Sequence, residues 1–367
     1  MTHFQNLILA GENVLQTDIT QKMFSQIIKR SITDKCNLTE LKNFNFNNIN
    51  KDVMAFGGGV LVALDVENKS GKNKLVKDFN KVFPFLGISF QRNDSSNSDQ
   101  ILDQVNKLVG NFIQENKPKE CIELPFELKF SSFDMSSAAI VFSYAIFDIP
   151  WMYPCVEDDK ILFKSSTQKQ LEGFKITPVE CDVGILNRGI KVTRLQIAEV
   201  GKTSQRDDYY LSPKYAYLHI FHHTDDSLDK SILNLYRFVF ENKDNIYKES
   251  LTRRLITKMA TFSMPNVDIT ASDDINLSNV RDYGISEGYF TNELKSILNT
   301  NNCLNSVKTR SQLKINKDGV AVSSCCLGYA CDSFHRNITK IIIDRPFCFA
   351  ISVGDEILAK GVFIKEA

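Results

Sequence analysis

The chain has 367 residues, 43% of them hydrophobic, enough to build a substantial core in one or two domains. Its 44 lysines and arginines balance 44 aspartates and glutamates, so no net field draws it to nucleic acid or to an acidic membrane surface. Nine cysteines without CxxC pairs or regular spacing resemble neither a zinc module nor a dense disulfide framework, and most are expected to be free thiols.

The opening MTHFQNLILAGENV has no basic lead and only a short apolar run, Leu7 to Ala10, too brief for a signal peptide. No apolar run elsewhere is long enough to cross a bilayer, so the expectation is a soluble chain outside the conventional secretion route, with the cytoplasm as one location. Asp18 followed by Ile19, Met23, Ile27 and Ile28 at helical spacing predicts an amphipathic helix. DVMAFGGGVLVALDV is apolar and β-branched and predicts a strand. Behind the polar NDSSNSD, residues Ile101, Leu102, Val105, Leu108, Val109 and Phe112 form a helical stripe. SSAAIVFSYAIFDIPWM predicts a long buried strand ending near Pro150, and YAYLHIFHH another strand. SLDKSILNLYRFVFEN predicts a helix, and LKINKDGVAVSS and KIIIDRPFCFAISV two further strands. No proline- or glycine-rich linker and no repeat divides the chain, which favours one interwoven α+β domain over residues 1–367.

Conventional active-site signals are weak. FGGGV lacks the lysine and the serine or threonine of a phosphate loop, and no nucleophile elbow occurs. His219, His222, His223 and Asp225 have metal-ligating chemistry, with His219 and His223 on one strand face, but such a group is more often a polar strand end. Cys325, Cys326 and Cys331 have no histidine placed in sequence to activate them, and adjacent thiols on an extended chain point to opposite faces. The reading is therefore no catalytic residue, no metal and no cofactor. Trp151 reads as a core or strand-end aromatic. One window stands apart: Val320 to Cys331, VAVSSCCLGYAC, carries neither charge nor proline in a chain with 24% charged residues. A buried strand is the simplest explanation.

Three blocks near the C-terminus, FSMPNVDITASDDINLSNVRDYGISEGYF, KTRSQLKINKDGVAVSS and DRPFCFAISVGDEILAKGVF, resemble in order and spacing the last third of a serpin. Upstream, ILDQVNKLVGNFI and VFSYAIFDIPW are similar to two further serpin segments, with Trp151 at the family's tryptophan. NLILAGENV is loosely similar to the segment that carries conserved serines in the family, which leaves almost nothing for the first helix.

The resemblance implies a serpin fold: a mixed main β-sheet, two further sheets, surrounding helices and an exposed reactive-centre loop over residues 317–340. It also implies a monomeric, non-enzymatic inhibitor of a serine protease, acting outside the cell and trapping its target as an acyl-enzyme when the cut loop inserts into the main sheet. Gly319, Val320, Ala321 and Val322 correspond to the loop hinge. Family spacing places the cleaved bond at Ser333–Phe334, and Phe334 or Arg336 as the specificity residue imply a chymotrypsin-like or a trypsin-like target. In an inserted strand Val320, Val322, Ser324, Cys326, Gly328 and Ala330 would share one face, and all are small or apolar.

Several positions depart from the family pattern. Val320 and Val322 are bulkier than usual, which predicts slower insertion. Lys317 and Asn266 replace a common acid–lysine pair. In the polar cluster beneath the sheet, Ala10, Gly11 and Asn13 stand at the serine positions, Ser143 at an asparagine and Thr309 at a histidine. A non-inhibitory protein that uses the scaffold to bind a ligand or partner is the second reading.

Overall fold

The computed structural model describes residues 2–20, 53–64, 88–91, 98–117, 139–153, 155–165, 168–200, 211, 215–224, 232–241, 245–275, 307–321, 339–354 and 356–365. In chain order its elements are α1 (His3–Leu9), β1 (Val14–Gln16), β2 (Met54–Leu64), β3 (Ile88–Gln91), α2 (Ser98–Asn116), β4 (Ala139–Pro150), β5 (Cys155–Lys164), β6 (Gln168–Ile185), β7 (Ile190–Glu199) and β8 (Tyr215–His223). There follow α3 (Ile232–Tyr236) with a π-helical turn (Arg237–Glu241), α4 (Ile246–Thr252), β9 (Ile256–Pro265), β10 (Val267–Ile275), β11 (Val307–Asn316), β12 (Gly319–Ala321), β13 (Thr339–Ile342), β14 (Phe347–Val353) and β15 (Glu356–Phe363).

The strands form two mixed sheets. One has nine strands, ordered β1-β15-β14-β8-β7-β6-β9-β13 with β5 also on β6; the other has six, ordered β10-β11-β12-β4-β2-β3. Most pairings are antiparallel, but β13 runs parallel to β9 and β2 parallel to β3. In β6 the ladder to β9 breaks between Ile176 and Val179, on either side of Pro178, which has no N–H to give. The first half of β6 pairs with β5 and the second with β7, so the large sheet divides into two regions continuous through one strand. Together with the six-stranded sheet these two regions make up the several-sheet α+β architecture expected from sequence.

A large core lies between the sheets. Phe174, Leu218, Ile220, Phe262, Phe347, Phe349 and Ile351 of the nine-stranded sheet meet Phe147, Ile149, Ile269, Leu313 and Ile315 of the six-stranded one. A second core lies on the other face of the nine-stranded sheet, where Phe4 and Ile8 of α1, Leu235 and Tyr236 of α3 and Ile246 and Tyr247 of α4 cover Phe221, Cys348 and Ala350. All seven residues of β14 are buried, because alternate side chains enter different cores. Truncating a phenylalanine here would cost about 3–5 kcal/mol.

Long, strongly patterned elements follow the sequence reading. In α2, Val105, Val109, Phe112 and Ile113 form its buried stripe. β2, β4 and β8 also form where expected, while the helix expected from Asp18 is described only over residues 18–20. The run KIIIDRPFCFAISV divides into β13 and β14, with the crossover 343–346 between them, and only β14 forms the C-terminal hairpin with β15. Of the helix expected over SLDKSILNLYRFVFEN the described part, residues 232–241, is α3 and its π turn. Strands β5, β6 and β7 had no counterpart in the sequence reading. β6 alternates between buried and wetter positions over much of its length, and charged residues interrupt the apolar runs of all three strands.

Between the helices and the nine-stranded sheet sits His219. The Ser352 hydroxyl donates to the Gly354 carbonyl (2.8 Å), so the His219 Nε2–H donates to Ser352 Oγ (3.0 Å). The ring packs parallel to Phe221 and edge-on to Tyr247. Burial, helped by the nearby Arg194 charge, pushes the imidazole down to about 3. Free histidine titrates near 6.5, so between these values the unfolded chain holds the extra proton and stability falls with pH, by at most about 1.4 kcal/mol per unit. Chemical denaturation from pH 7 to 4 should show that loss, and His219→Gln, which keeps a donor to Ser352, should flatten it.

Candidate functional site

The strand β12 follows β11 through a tight turn. Asn316 Oδ1 accepts the Asp318 N–H (2.9 Å), an Asx turn, and Asn316 pairs with Gly319 across the two turn residues Lys317 and Asp318. β12 then lies between two strands: Gly319, Val320 and Ala321 pair with Asn316, Ile315 and Lys314 of β11 on one side and with Pro150, Ile149 and Asp148 of β4 on the other. Among the described residues β4 and β11 are joined through β12. Val320 is 1% exposed and packs in the core with Ile149 and Ile315.

Gly319 is required by close approach. Its φ is +151°, and a Cβ there would lie 2.6 Å from the Ile149 carbonyl oxygen and 3.0 Å from Pro150 Cα. Trp151 holds the same corner: its indole N–H donates to the Asn316 carbonyl (2.7 Å) and its ring lies 5.4 Å from that of Phe174. One side chain thereby ties the ends of β4 and β11 to β6. Trp151 is the strand-end aromatic that the sequence reading expected, with a buttressing contact that sequence alone did not reveal.

No family model and no curated protein matches the sequence. Solved structures do match the fold. Serpin48, a highly specific serpin of the insect Tenebrio molitor, superposes with TM-score 0.65 at 11% identity over 99% of this chain and 95% of its own. Thyroxine-binding globulin in complex with thyroxine matches with TM-score 0.65 at 14% identity over 98% and 95%. Mouse protein-Z dependent protease inhibitor matches with TM-score 0.65 at 14% identity over 99% and 95%.

The chain has the serpin fold.

Of the residues assigned to the serpin reactive-loop hinge, Gly319, Val320 and Ala321 form a paired strand, so this part of 317–340 is not an exposed loop. The physical reason is the two-sided ladder, which satisfies this backbone on both edges. Lys317 lies exposed in the turn, and Asn266 joins β9 to β10, its N–H donating to the Glu172 carbonyl (2.9 Å). Val322, Ser333, Phe334 and Arg336 lie outside the described residues, as do Asp225, Cys325, Cys326 and Cys331.

The residues set against the family's serine positions are engaged at the chain's N-terminal end. Ala10 caps the C-terminus of α1, Gly11 turns the chain with φ +74°, and Asn13 ties the two ends of the chain together, its amide donating to the Lys365 carbonyl (2.7 Å) and accepting from the Ile364 N–H (2.8 Å). Residues 3–9, for which the resemblance left almost no helix, form α1, held by a capping box of Thr2 and Gln5. The hydroxyls beneath the sheet are those of Thr17, Thr20 and Ser311. Thr20 donates to the Thr17 carbonyl (2.8 Å), so Thr17 Oγ1 donates to Thr20 Oγ1 (2.5 Å) and Ser311 Oγ donates to Thr17 Oγ1 (3.2 Å). Ser143 and Thr309 lie in β4 and β11. The usable signal was the short strand VLQ running straight into a Thr-x-x-Thr helix start.

The histidine group is dispersed by the strand. His219 is engaged with Ser352, whereas His222 points to the opposite face and donates from Nδ1 to the His223 carbonyl (3.0 Å). FGGGV lies in β2. Cys181 and Cys348 are free and buried; burial, with Asp182 nearby, pushes the Cys181 thiol up to about 12, and burial raises Cys348 as well.

Gly319→Ala should expel β12, because the added methyl meets backbone and not a movable side-chain end. Hydrogen exchange at the Val320 and Ala321 amides should quicken by about tenfold or more, the equivalent of 1–2 kcal/mol of left-handed strain. Gly11→Ala, also at positive φ but with open space around it, should leave those amides unchanged. Equal exchange in the Gly319 variant and the native protein would mean that close approach does not hold this strand.

Proposed function

We propose that this protein inhibits a serine protease by the suicide route of its fold: the protease cuts the loop after β12, forms an acyl-enzyme and is disabled when the loop continues into the six-stranded sheet. The observation that carries this reading is β12 itself, a strand from the loop's hinge already seated between β4 and β11. The length of the uncharged window supports it. If the register of β12 continued, residues 319 to 330 would lie along all twelve residues of β4, ending with Ala330 opposite Ala139, and the charge-free stretch ends one residue later. Along that path the next inward residue, Val322, would meet Phe147 and Leu313, both buried.

Loop insertion drags the acyl-enzyme across the inhibitor and pulls the protease serine away from its histidine and oxyanion hole, so deacylation stalls. Inhibition is then a race between insertion and hydrolysis. Two of the matched folds carry protease inhibition or the name serpin in their descriptions, and a third carries thyroxine. The protein is not an enzyme in this reading, and the identity of its target, chymotrypsin-like through Phe334 or trypsin-like through Arg336, is a matter for the assay.

The test is complex formation. Mixed with chymotrypsin-like, trypsin-like and elastase-like proteases, the native protein should give with one of them a covalent complex that survives a denaturing gel. Val322→Arg should be cleaved and turned over without a lasting complex, since an unpaired charge inserted into the core opposes insertion by several kcal/mol. Ala321→Arg, on the opposite face by strand alternation, should do much less. No complex with any of the three proteases, and no gain in heat resistance after the loop is nicked, would replace this reading with that of a non-inhibitory binding protein.

A further inference from the structure

The inner face of the nine-stranded sheet runs out beyond the sheet that covers it. Along β6, Cys181 is buried, Val183 half-buried and Ile185 59% exposed; along β9, Ala260 is buried and Ile256 is 64% exposed. Register places Ile256 opposite Val183, Lys258 opposite Cys181, Lys191 opposite Ile185 and His222 opposite Lys191. Cross-strand partners share a face, so two exposed isoleucines, two lysines and a histidine project from one shelf.

The crossover 343–346 between β13 and β14 brings more charge to this shelf. The Asp344 carboxylate is taken up by Lys164 (2.9 Å) and by Arg345 (3.0 Å). Burial, followed by the charges of Arg345 and Lys258, holds the Lys191 ammonium below its usual range, which places those cations beside it. Among the described residues neither Lys191 nor Lys258 is paired with a carboxylate, and Asp344 is the one acid that faces Lys191. His222 supplies a second, independent feature. It is 6% exposed, its Nδ1–H is spent on the His223 carbonyl, and its buried Nε2 has no hydrogen-bond partner among the described residues.

We propose that this shelf binds an amphiphilic organic anion, with a carboxylate or sulfate headgroup between Lys191, Lys258 and His222 and an apolar chain along Ile185 and Ile256. The headgroup offsets half-buried positive charge, and it offers the acceptor that His222 Nε2 lacks once that nitrogen is protonated. Binding therefore takes up a proton. The charged groups that face His222 are Lys191 of β7 and Arg345 and Asp344 of the crossover, with the His223 carbonyl beside it. An anion there counters the first two and lifts the imidazole from the low range, about 4, in which burial holds it. The isoleucines decide for an organic anion over an inorganic one, because an inorganic ion leaves that apolar surface wet.

The probe is decanoate below its micellar concentration, compared with decanol and with inorganic sulfate at matched ionic strength, by calorimetry at pH 6 and by thermal unfolding. Decanoate should bind, raise the Tm and take up a proton, as shown by titration in buffers of different ionisation enthalpy. Lys191→Gln with Lys258→Gln should weaken decanoate by about tenfold or more. Ile185→Asn with Ile256→Asn should weaken decanoate and leave sulfate unchanged, and His222→Gln should abolish proton uptake. Melting of each variant in plain buffer identifies any that fail to fold. Decanol equal to decanoate, or undiminished decanoate binding by the folded lysine variant, overturns the site; sulfate as tight as decanoate overturns the apolar half of it.

Discussion

The six-stranded sheet depends on three residues that must satisfy neighbours on both sides. β4 and β11 are linked through Gly319, Val320 and Ala321, so the backbone of β12 completes a ladder to each. Net hydrogen-bond contributions of about 1 kcal/mol apiece and burial of one valine side chain, about 2 kcal/mol, hold this short strand in place. The features around it follow from that placement. A side chain at position 319 would strike the Ile149 carbonyl, the turn before it is closed by the Asn316 side chain, and Trp151 fastens the Asn316 carbonyl from the neighbouring strand. Below, Ser311 on β11 leans on Thr17 at the end of β1, which connects the same strand to the chain's N-terminal region.

Legibility in the sequence followed the simplicity of each environment. α2, β2, β4 and β8 carry one pattern along their whole length, and each forms where the pattern points. β14 reads as a continuous apolar run because it is buried on both faces, yet sequence could not show that β13, four residues upstream, crosses to the far edge of the same sheet. β5, β6 and β7 carry charged residues among their apolar ones, so their apolar content stays diluted. At the candidate site, the absence of charge from Val320 onward was legible. That Val320 is already buried was not, because it depends on the gap between two strands more than 150 residues apart in the chain. The hydroxyl group at the end of β1 was not legible for a different reason: the apolar run before it is capped as a helix by Thr2 and Gln5, and the strand VLQ that leads to Thr17 is only three residues long and ends in a polar residue.

Two polar side chains inside the nine-stranded sheet are handled by local pairing. Arg194 is buried but gives Nε (3.1 Å) and a terminal nitrogen (2.7 Å) to Asp182, whose other oxygen accepts from Thr257 (2.6 Å). A buried cation without that partner would cost several kcal/mol, so the pair fixes the register of β6, β7 and β9 more than it adds stability. His219 is handled differently, as a neutral donor to Ser352. The first device pairs a buried charge and the second avoids one, and half-buried positive charge gathers at the open end of the sheet, around Lys191.

The valines of the hinge bear on the proposed inhibition through the stability of the end state, which is separate from the rate of insertion. Bulk at an inserting position was expected to slow insertion, yet Val320 sits fully buried beside Ile149 and Ile315. Each inward valine exchanges apolar surface for core contact, so bulk favours the inserted state as long as the cavity accepts it. In the proposed path Val322 meets equally apolar neighbours in Phe147 and Leu313, and the chemistry changes one step later. There, continuing the register would bring Ser324 opposite Ser311, the residue that donates to Thr17. A hydroxyl arriving at a hydroxyl cluster finds partners, whereas a third valine would bury apolar surface against polar atoms and leave them unsatisfied. The switch from valine to serine along the loop thus matches the switch from apolar to polar along the strand it would join. That order fits a strand lying between β4 and β11, a match of side-chain chemistry that goes beyond the absence of charge.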